Sequence, residues 1–285
     1  MKRIFDKYNN LPKQIRDSII IAATIVGGLS TILSILGISL ADFKASNIWF
    51  RIGLVLMLYL ILCLIIYVII GQIFKESVSI QIRKTSILIN CGNIFSASGL
   101  RVIGCDTHFD TRIDDVVISK TSLHGQLFLE HGRKSEIEMV VEKEAIRLGL
   151  QKDNNGLYDF PLGTIIRYDS SIDNHTYLML AMTKLDSQYE THTNMAQFEL
   201  MLMKMWKEID RVYARYDVAL PVLGTGISRF DDGPKNKDEL LRCMLCTLNS
   251  SGVTLKSKVE ILIFGNVNEI SLYEYKDMFR SISRR

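Results

Sequence analysis

The segment 217–230, with the sequence DVALPVLGTGISRF, contains the residues whose types and spacing most clearly suggest a chemical role. Its apolar run, Val218 to Leu223, is typical of a buried strand and ends at Gly224-Thr225-Gly226. Glycine lets the main chain approach a ligand without a Cβ in the way, and backbone N–H groups in such a turn can bind phosphate. Many ordinary tight turns have the same pattern. The segment therefore indicates a phosphate loop only together with other features of the chain.

A second polar segment, residues 106–125, has the sequence DTHFDTRIDDVVISKTSLHG. It is too long for a simple connection, and long ordered loops are often functional. His108 and His124 invite a catalytic interpretation, but no serine or cysteine is evidently paired with a base and no cluster has metal-ligand spacing. We therefore interpret both histidines as hydrogen-bonding groups and predict no catalytic residue and no metal site. Asp114 and Asp115 face apart in an extended chain, which favours a solvated role over a carboxylate dyad.

The five cysteines indicate a reducing compartment. They are odd in number and lack the spacing of a disulfide framework, so we expect reduced, free thiols. We also expect no cofactor. Cys243 and Cys246 lie in a helical pattern without a second ligand pair nearby, which favours buried thiols over zinc. The net charge of +3 is too small to indicate binding of nucleic acid.

The elements that must position these segments alternate between strands and helices. Such alternation predicts an α/β fold with a largely parallel sheet and helices on its faces. Ligands bind such sheets beyond the carboxyl ends of the strands, so the loops after Cys105, Leu223 and Phe264 are the important ones. Ser135 and Glu138 have the spacing of a capping box at the start of one helix. The predicted strands are Val78–Ile82, Ser86–Asn90, Leu100–Cys105, Leu162–Tyr168, Thr176–Thr183, Asp217–Leu223 and Lys258–Phe264. The predicted helices are Ser135–Leu150, Met195–Arg215, Lys237–Asn249 and Glu269–Ile282.

Residues 1–74 hold most of the apolar excess of this 285-residue chain, whose mean hydropathy is +0.16. Ser18–Leu40 and Ile52–Phe74 are free of charged residues. Each gives about 34 Å of helix, enough to cross a hydrocarbon core of about 30 Å. A signal peptide is disfavoured for the first segment, which is too long and lacks a small-x-small cleavage site. A buried core helix is the alternative for both segments.

The short linker 41–51 makes the two segments a transmembrane hairpin. Positive residues are more numerous before and after the hairpin than in the linker, so the positive-inside rule places both termini in the cytoplasm of a two-pass inner (plasma) membrane protein. We predict a basic N-terminus at 1–17, the hairpin at 18–74 and a cytoplasmic domain at 75–285. Small residues in the first helix suit either self-association or packing within one hairpin. These residues are Gly27, Gly28, Ser30, Ser34, Gly37 and Ser39.

The cytoplasmic part resembles macro domains, which are three-layer α/β/α sandwiches that bind ADP-ribose. The sequence VALPVLGTGISRF at 218–230 resembles the second phosphate loop of that family, and the order of the surrounding helices and strands also fits. The residues 91–95, CGNIF, stand where the family has a Gly-Asp-Ile turn whose aspartate receives the adenine amino group. Asn93 can accept a hydrogen bond there but carries no charge.

More specifically, CDTHFDT at 105–111 and SLHG at 122–125 resemble a bacterial macro-like subfamily that follows a transmembrane hairpin. In that subfamily this stretch replaces the usual Asn-Ala-Ala-Asn and poly-glycine loop. These proteins resemble the effector subunit of Thoeris-type anti-phage defence, in the branch that pairs a membrane-macro protein with a TIR-domain enzyme. The resemblance covers essentially the whole chain.

The resemblance implies a role for each part of the pocket. The Gly224 loop would hold a diphosphate, the segment at 122–125 would close the other side as the first phosphate loop, and Asp106 and its neighbours would face the distal ribose. Asn266 would border the adenine, with Phe264 as an apolar wall. Arg229 is either a phosphate partner or a solvated side chain. The expected ligand-binding residues are Asn93, Ile94, Asp106, Thr107, Phe109, Asp110, Ser122, Leu123, His124, Gly125, Leu223, Gly224, Thr225, Gly226, Ile227, Ser228, Arg229 and Asn266.

The resemblance implies a ligand-gated membrane effector rather than an enzyme. Its ligand would be ADP-ribose or an ADP-ribose conjugate, such as one with histidine, made by a TIR-domain enzyme. Binding would drive homo-oligomerisation in the lipid bilayer and damage to the membrane. The rival hypothesis is a membrane-tethered ADP-ribosyl hydrolase, and a third is a constitutive reader of ADP-ribosylated partners.

Overall fold

The structure is a computed structural model that describes residues 11–35, 48–185, 191–226, 229–265, 270–276 and 278. Residues 1–10 of the expected basic N-terminus and residues 36–40 of the first apolar segment lie outside the described residues. The chain divides into two compact units, residues 1–78 with 271–276 and residues 79–270 with 277–285.

The first unit is built on two long helices, α1 (Lys13–Ile35) and α2 (Ile48–Ile73). They pack against each other along a small-residue contact at Ala22, which is fully buried. Polar side chains on both helices add hydrogen bonds between them. The Tyr59 hydroxyl donates to the Ile19 carbonyl at 3.0 Å, and Gln14 Nε2 donates to the Tyr67 carbonyl at 2.8 Å.

Both helices are long and apolar enough to cross a membrane, by length and composition. Only 11% of the apolar window in the first helix and none of that in the second is buried, so neither behaves as the core helix of a soluble protein. Large side chains such as Leu29 and Leu64 are more than half exposed.

The segment 271–276 returns to the base of this helix pair. Its single helical turn, α7 (Leu272–Tyr275), is the part of the predicted helix Glu269–Ile282 that the structure describes as helical. The Tyr273 hydroxyl donates to Asp17 Oδ2 at 2.6 Å, and the Lys13 backbone N–H donates to Glu274 Oε1 at 3.0 Å. The Tyr273 ring also meets the Phe74 ring edge-on, with centroids 5.1 Å apart. Residues from both ends of the chain therefore close the base of the helix pair.

The second unit is organised around a mixed sheet, in which nine strands are described. Their order is β1-β2-β9-β7-β3-β5-β6-β8, with β4 pairing with β5. The pairs β2–β9, β9–β7, β7–β3 and β3–β5 are parallel, whereas β4 and β6 run antiparallel to β5. The strands are β1 Ser77–Ile82, β2 Thr85–Cys91, β3 Leu100–Asp106, β4 Ile165–Asp169, β5 Thr176–Leu185, β6 Thr191–Thr193, β7 Val218–Pro221, β8 Arg229–Phe230 and β9 Val259–Ile263.

Helices cover both faces of this sheet. The helix α4 (Lys134–Leu148) buries Ile137, Val141 and Ala145 in one cluster with Ile103 and Met179 of the sheet. Neighbouring strand residues point to the opposite face, because side chains alternate along a strand. The buried residues of α5 (Met195–Val212) and α6 (Lys237–Ser251) are absent from that cluster and form the other layer. This arrangement confirms the predicted three-layer α/β/α sandwich.

The largest difference from the predicted elements follows β3. Residues predicted as loop form a short helix, α3 (Leu123–Gln126), which continues as a π-helix, Leu127–His131. A 3₁₀ turn at Ile94–Ser96 and the short strands β6 and β8 were also not predicted. The helix α5 ends before Arg215, because Ala214 and Arg215 take φ angles of 48° and 66°. Such positive angles end a helix.

The predicted capping box of α4 is wrong. The N-cap residue is Arg133, which makes no side-chain capping bond, and the helix begins at Lys134. The Arg133 N–H instead donates to the Tyr168 hydroxyl at 3.0 Å, and that hydroxyl donates to Glu136 Oε2. A contact from strand β4 thus replaces the local cap that the sequence suggested.

The hydroxyl of Tyr273 should hold α7 on the helix pair. In Tyr273→Phe the ring contact with Phe74 is retained but the bond to Asp17 is lost. A hydrogen bond to a charged group contributes about 1.5–3 kcal/mol, so hydrogen exchange of the amides at 272–275 should accelerate about tenfold or more in the full chain. Tyr216→Phe, on an exposed ring of the other unit, is the matched control. Unchanged exchange in Tyr273→Phe would contradict the prediction.

Candidate functional site

A cavity of about 740 Å³ lies at the carboxyl ends of the parallel strands. The residues that end β2, β9, β7 and β3, or follow them directly, contribute to its lining. Among them are Asn93, Phe264, Leu223 and Asp106. The sheet therefore brings together loops that are far apart in the sequence, at the edge where open α/β sheets bind ligands.

The loop after β7 gives the cavity a glycine-containing wall. Val222 and Leu223 are buried, and the Leu223 N–H lies 3.4 Å from the Met244 sulfur. Gly224 has φ +82°, the left-handed conformation that glycine adopts without strain. A Cβ on Gly226 would have no atom within 4 Å, so its main chain borders open space. A ligand in the cavity can therefore approach the main chain of this wall directly.

The segment Ser122–Gly125 forms the start of α3 on another side of the cavity. Ser122 Oγ accepts a hydrogen bond from the Gly125 N–H at 3.0 Å and donates to the Ser119 carbonyl at 2.7 Å. A Cβ on Gly125 would lie 2.2 Å from the Ser119 oxygen. Gly125 is therefore needed for the close approach of α3 to the preceding loop, and only Ser122, Leu123 and His124 of the four line the cavity.

Asp106 is the last residue of β3, and the chain turns after it beneath the cavity. It is 3% exposed, and its two oxygens accept the N–H groups of His108 at 2.9 Å and Asp110 at 3.0 Å. The Nδ1 atoms of His108 and His124 each lie 3.7 Å from an Asp106 oxygen. The Asp106 carboxylate therefore stabilises the turn that follows β3 by accepting these hydrogen bonds.

His124 is a buried imidazole in the cavity lining. It is 4% exposed, and its Nε2 atom has no hydrogen-bond partner among the described residues. Burial lowers the pKa of His124 below its ordinary value, although the charges of Asp106 and Asp110 act in the opposite direction. The ring is therefore neutral at pH 7, with one donor and one acceptor nitrogen.

Asn93 and Ile94 line the cavity at the end of β2. Asn93 caps the 3₁₀ turn, and its Oδ1 atom accepts the Phe95 N–H at 3.0 Å. The acceptor that the sequence assigned to an adenine amino group is thus already engaged with the backbone.

Three further predicted residues are buried but do not line this cavity. The ring of Phe109 meets Phe160 edge-on at 5.1 Å, and Thr107 is 1% exposed. Asp110 forms a close ion pair with Arg112, with Nη2 2.5 Å from Oδ2. Burial opposes ionisation of Asp110, but the hydrogen bonds and charge of Arg112 outweigh it and lower the pKa of Asp110. These side chains shape the loop behind Asp106.

The remaining predicted residues divide between the cavity and the parts of the chain that are not described. Thr225 lines the cavity with its two neighbouring glycines, and its hydroxyl donates to the Val222 carbonyl at 2.9 Å. Ile227, Ser228 and Asn266 lie outside the described residues. The backbone of Arg229 lies in β8, beside His192 of β6, and its side chain is not described.

Sequence reasoning missed two parts of the lining. Met182, Thr183 and Leu185 come from the end of β5, a strand whose neighbours could not be ordered from the sequence. The rim residue Lys237 is the first residue of α6. A lysine at the start of a helix, where a negative charge is favoured, is a signal that could have singled it out.

No group of three or more His, Cys, Asp or Glu side chains that could hold a metal is present in the part of the chain that the structure describes. The cysteines there are free thiols. Cys243 is buried as predicted, whereas Cys246 is exposed, so the prediction that both helix thiols are buried is wrong for Cys246. Burial is the main cause that raises the pKa of Cys105, and it raises that of Cys243 to about 12. Both thiols are therefore protonated at neutral pH and are weak nucleophiles.

Three comparisons relate these observations to known proteins. The family model "Thoeris protein ThsA, Macro domain" matches residues 87–264. The Thoeris protein ThsA of Bacillus amyloliquefaciens (strain Y2) is 28% identical over 271 residues, which cover 90% of this chain and 86% of that protein. Among solved structures, a mutant Oceanobacillus iheyensis macrodomain with ADPR has a TM-score of 0.50 and 14% identity, covering 74% of this chain and all of that one. The macrodomain of the same organism with ADP has a TM-score of 0.47 and 15% identity, with coverage of 74% and 98%.

The burial of His124 should make stability depend on pH. The unfolded chain has a histidine pKa of about 6.5 and binds the proton more readily than the folded chain, so the free energy of unfolding should fall as the pH drops below about 6.5. One such group contributes at most about 1.4 kcal/mol per pH unit. His124→Gln should reduce this slope, measured by denaturant unfolding between pH 7.5 and 5.

The comparison is of slopes, because the substitution can change absolute stability through packing alone. An unchanged slope in His124→Gln would show that this imidazole is not held neutral by the fold.

Proposed function

Because this chain belongs to the family of the Thoeris protein ThsA macro domain, we propose that its cavity binds an ADP-ribose-derived signal made by a TIR-domain enzyme. Binding switches on an anti-phage effector whose N-terminal helix pair acts in the membrane. The protein is a receptor rather than an enzyme, and the ligand is ADP-ribose or a conjugate such as one with histidine.

The observation that carries this proposal is the cavity at the carboxyl ends of the parallel strands. Its volume of about 740 Å³ falls in the range typical of small-molecule sites. The open main chain at Gly226 suits a diphosphate, because backbone amides can approach it closely. A solved macrodomain of the same fold carries ADPR, which supports the same ligand class for this chain.

The polar groups around Asp106 suit the distal end of such a ligand. His124 offers one donor and one acceptor in a buried wall, so it can discriminate among groups attached to a ribose. A site built to hydrogen-bond a substituent rejects ligands that lack it, because buried polar groups are then unpaired. The ligand's substituent would therefore decide the affinity on this side of the cavity.

The membrane part of the proposal rests on the exposed apolar surfaces of α1 and α2 and on the basic residues beside them. We assign 1–17 to a basic cytoplasmic N-terminus, 18–74 to a two-pass hairpin and 75–285 to the cytoplasmic domain. Gly27 and Gly28 support assembly, because a Cβ on either would have no atom within 4 Å in the hairpin. Packing within one hairpin therefore does not account for them, whereas close approach of a second copy would.

A hydrolase is the second candidate, and the buried His124 beside Asp106 is the observation that favours it. The geometry weakens it, because both Asp106 oxygens already accept backbone N–H groups. Release of ADP-ribose from a modified protein, lost in His124→Gln, would support a hydrolase and contradict the receptor.

Calorimetric titration of the full chain in nanodiscs tests the receptor. ADP-ribose or one of its amino-acid conjugates should bind, and Gly226→Val should weaken binding at least tenfold, because the new side chain occupies the space of the ligand without meeting protein atoms. Gly53→Val is the matched control, since its Cβ also has no atom within 4 Å but lies on α2. No binding of ADP-ribose or any conjugate would reject the proposed function.

A further inference from the structure

Lys237 occupies the rim of the cavity, between the end of β9 and the start of α6. Its Nζ atom donates to the Phe264 carbonyl at 3.2 Å and lies 3.7 Å from the place of a Cβ on Gly265. The residue is half-buried and contributes to the cavity lining. The ammonium is therefore held at the carboxyl edge of the sheet rather than extended into solvent.

The helix α6 does not need a lysine at this position. Its N-terminus is capped by Asn236, which forms a reciprocal pair of 2.9 Å hydrogen bonds with Glu239. Asp238 supplies a second negative charge in the first turn and pairs with Arg242 at 2.6 Å. A cation in the first turn opposes the helix dipole. Residues that break a local rule in this way are expected at functional positions.

The charges of the described lining residues indicate that Lys237 compensates negative charge in the cavity. The carboxylates among them are Asp106 and Asp115, and Lys237 is the one lysine or arginine. Asp115 is paired at 3.0 Å with Lys120, which is not part of the lining. A dianionic diphosphate that enters a cavity with a buried carboxylate needs a compensating cation nearby, because unpaired charges are costly away from water.

We propose that Lys237 binds a phosphate oxygen of the ligand and makes the cavity selective for phosphorylated over unphosphorylated nucleosides. The Lys237 ammonium carries a positive charge and three N–H donors, which are the groups that phosphate oxygens accept. The inference rests on the proposed function and adds to it the residue that recognises the negative charge of the ligand.

The test titrates ADP-ribose, ADP, adenosine and inorganic pyrophosphate into the full chain and into Lys237→Met. The affinities for the three phosphorylated ligands should fall about tenfold or more, because a charge-assisted hydrogen bond is lost, while that for adenosine should not change. The salt dependence of binding should weaken in the variant, and Lys237→Arg should restore part of the affinity. Lys235→Met is the matched control, because its Nζ faces Asp232 at 3.5 Å and Lys235 is not part of the lining.

Two results would overturn the inference. Unchanged affinity for the phosphorylated ligands in Lys237→Met would show that the ammonium does not contact phosphate. An equal loss for adenosine would show that Lys237 only ties α6 to the Phe264 carbonyl. Failure of the proposed function looks different: the unaltered protein would then bind pyrophosphate, with dependence on Lys237, but would bind neither ADP-ribose nor its conjugates.

Discussion

Parallel pairing of β2, β9, β7 and β3 is the constraint on which the rest of the structure depends. In a parallel sheet all strands end at the same edge, so the loops that follow them must meet there. Residues as distant in sequence as Asn93 and Phe264 line one cavity for this reason. The register of β2 with β9, from Ile87 opposite Val259 to Cys91 opposite Ile263, brings the ends of these two strands side by side.

The buried carboxylate of Asp106 is the second determinant. An irregular turn does not offer backbone carbonyls to all of its N–H groups. The Asp106 oxygens accept hydrogen bonds from the N–H groups of His108 and Asp110 instead. Buried N–H groups without partners are costly, so the turn depends on a side chain with two acceptors. The same geometry brings His124 to the cavity, 3.7 Å from the carboxylate. Asp106 therefore orders the turn after β3 and lies beside a residue of the cavity lining.

The sequence predicted the elements that have strong periodicity and failed where distant contacts decide. The alternating pattern of β2, the continuous apolar run of β5 and the inner face of α5 placed those elements within a few residues. The cap of α4 could not be predicted, because the partner of the Arg133 N–H is Tyr168, which the chain places beside it only after the sheet forms. Lys237 had a local signal at the start of α6, but its bond to the Phe264 carbonyl is a distant contact that the sequence does not show. The helical form of residues 122–131 did have a local signal: Ser122 caps the Gly125 N–H three residues on, a spacing typical of an N-cap.

The path of the chain gives the cavity a covalent connection to the helix pair. The last strand, β9, ends at Ile263 in the cavity lining, and the chain reaches α7 at Leu272, where Tyr273 and Glu274 bond to α1. Residues 271–276 thus belong to the compact unit of the helix pair although they follow the last strand of the sheet. A ligand can shift the state of that unit only by as much as its affinities for two states differ. Such a difference requires that the two states present different groups to the ligand, because equal contacts in both states leave their populations unchanged.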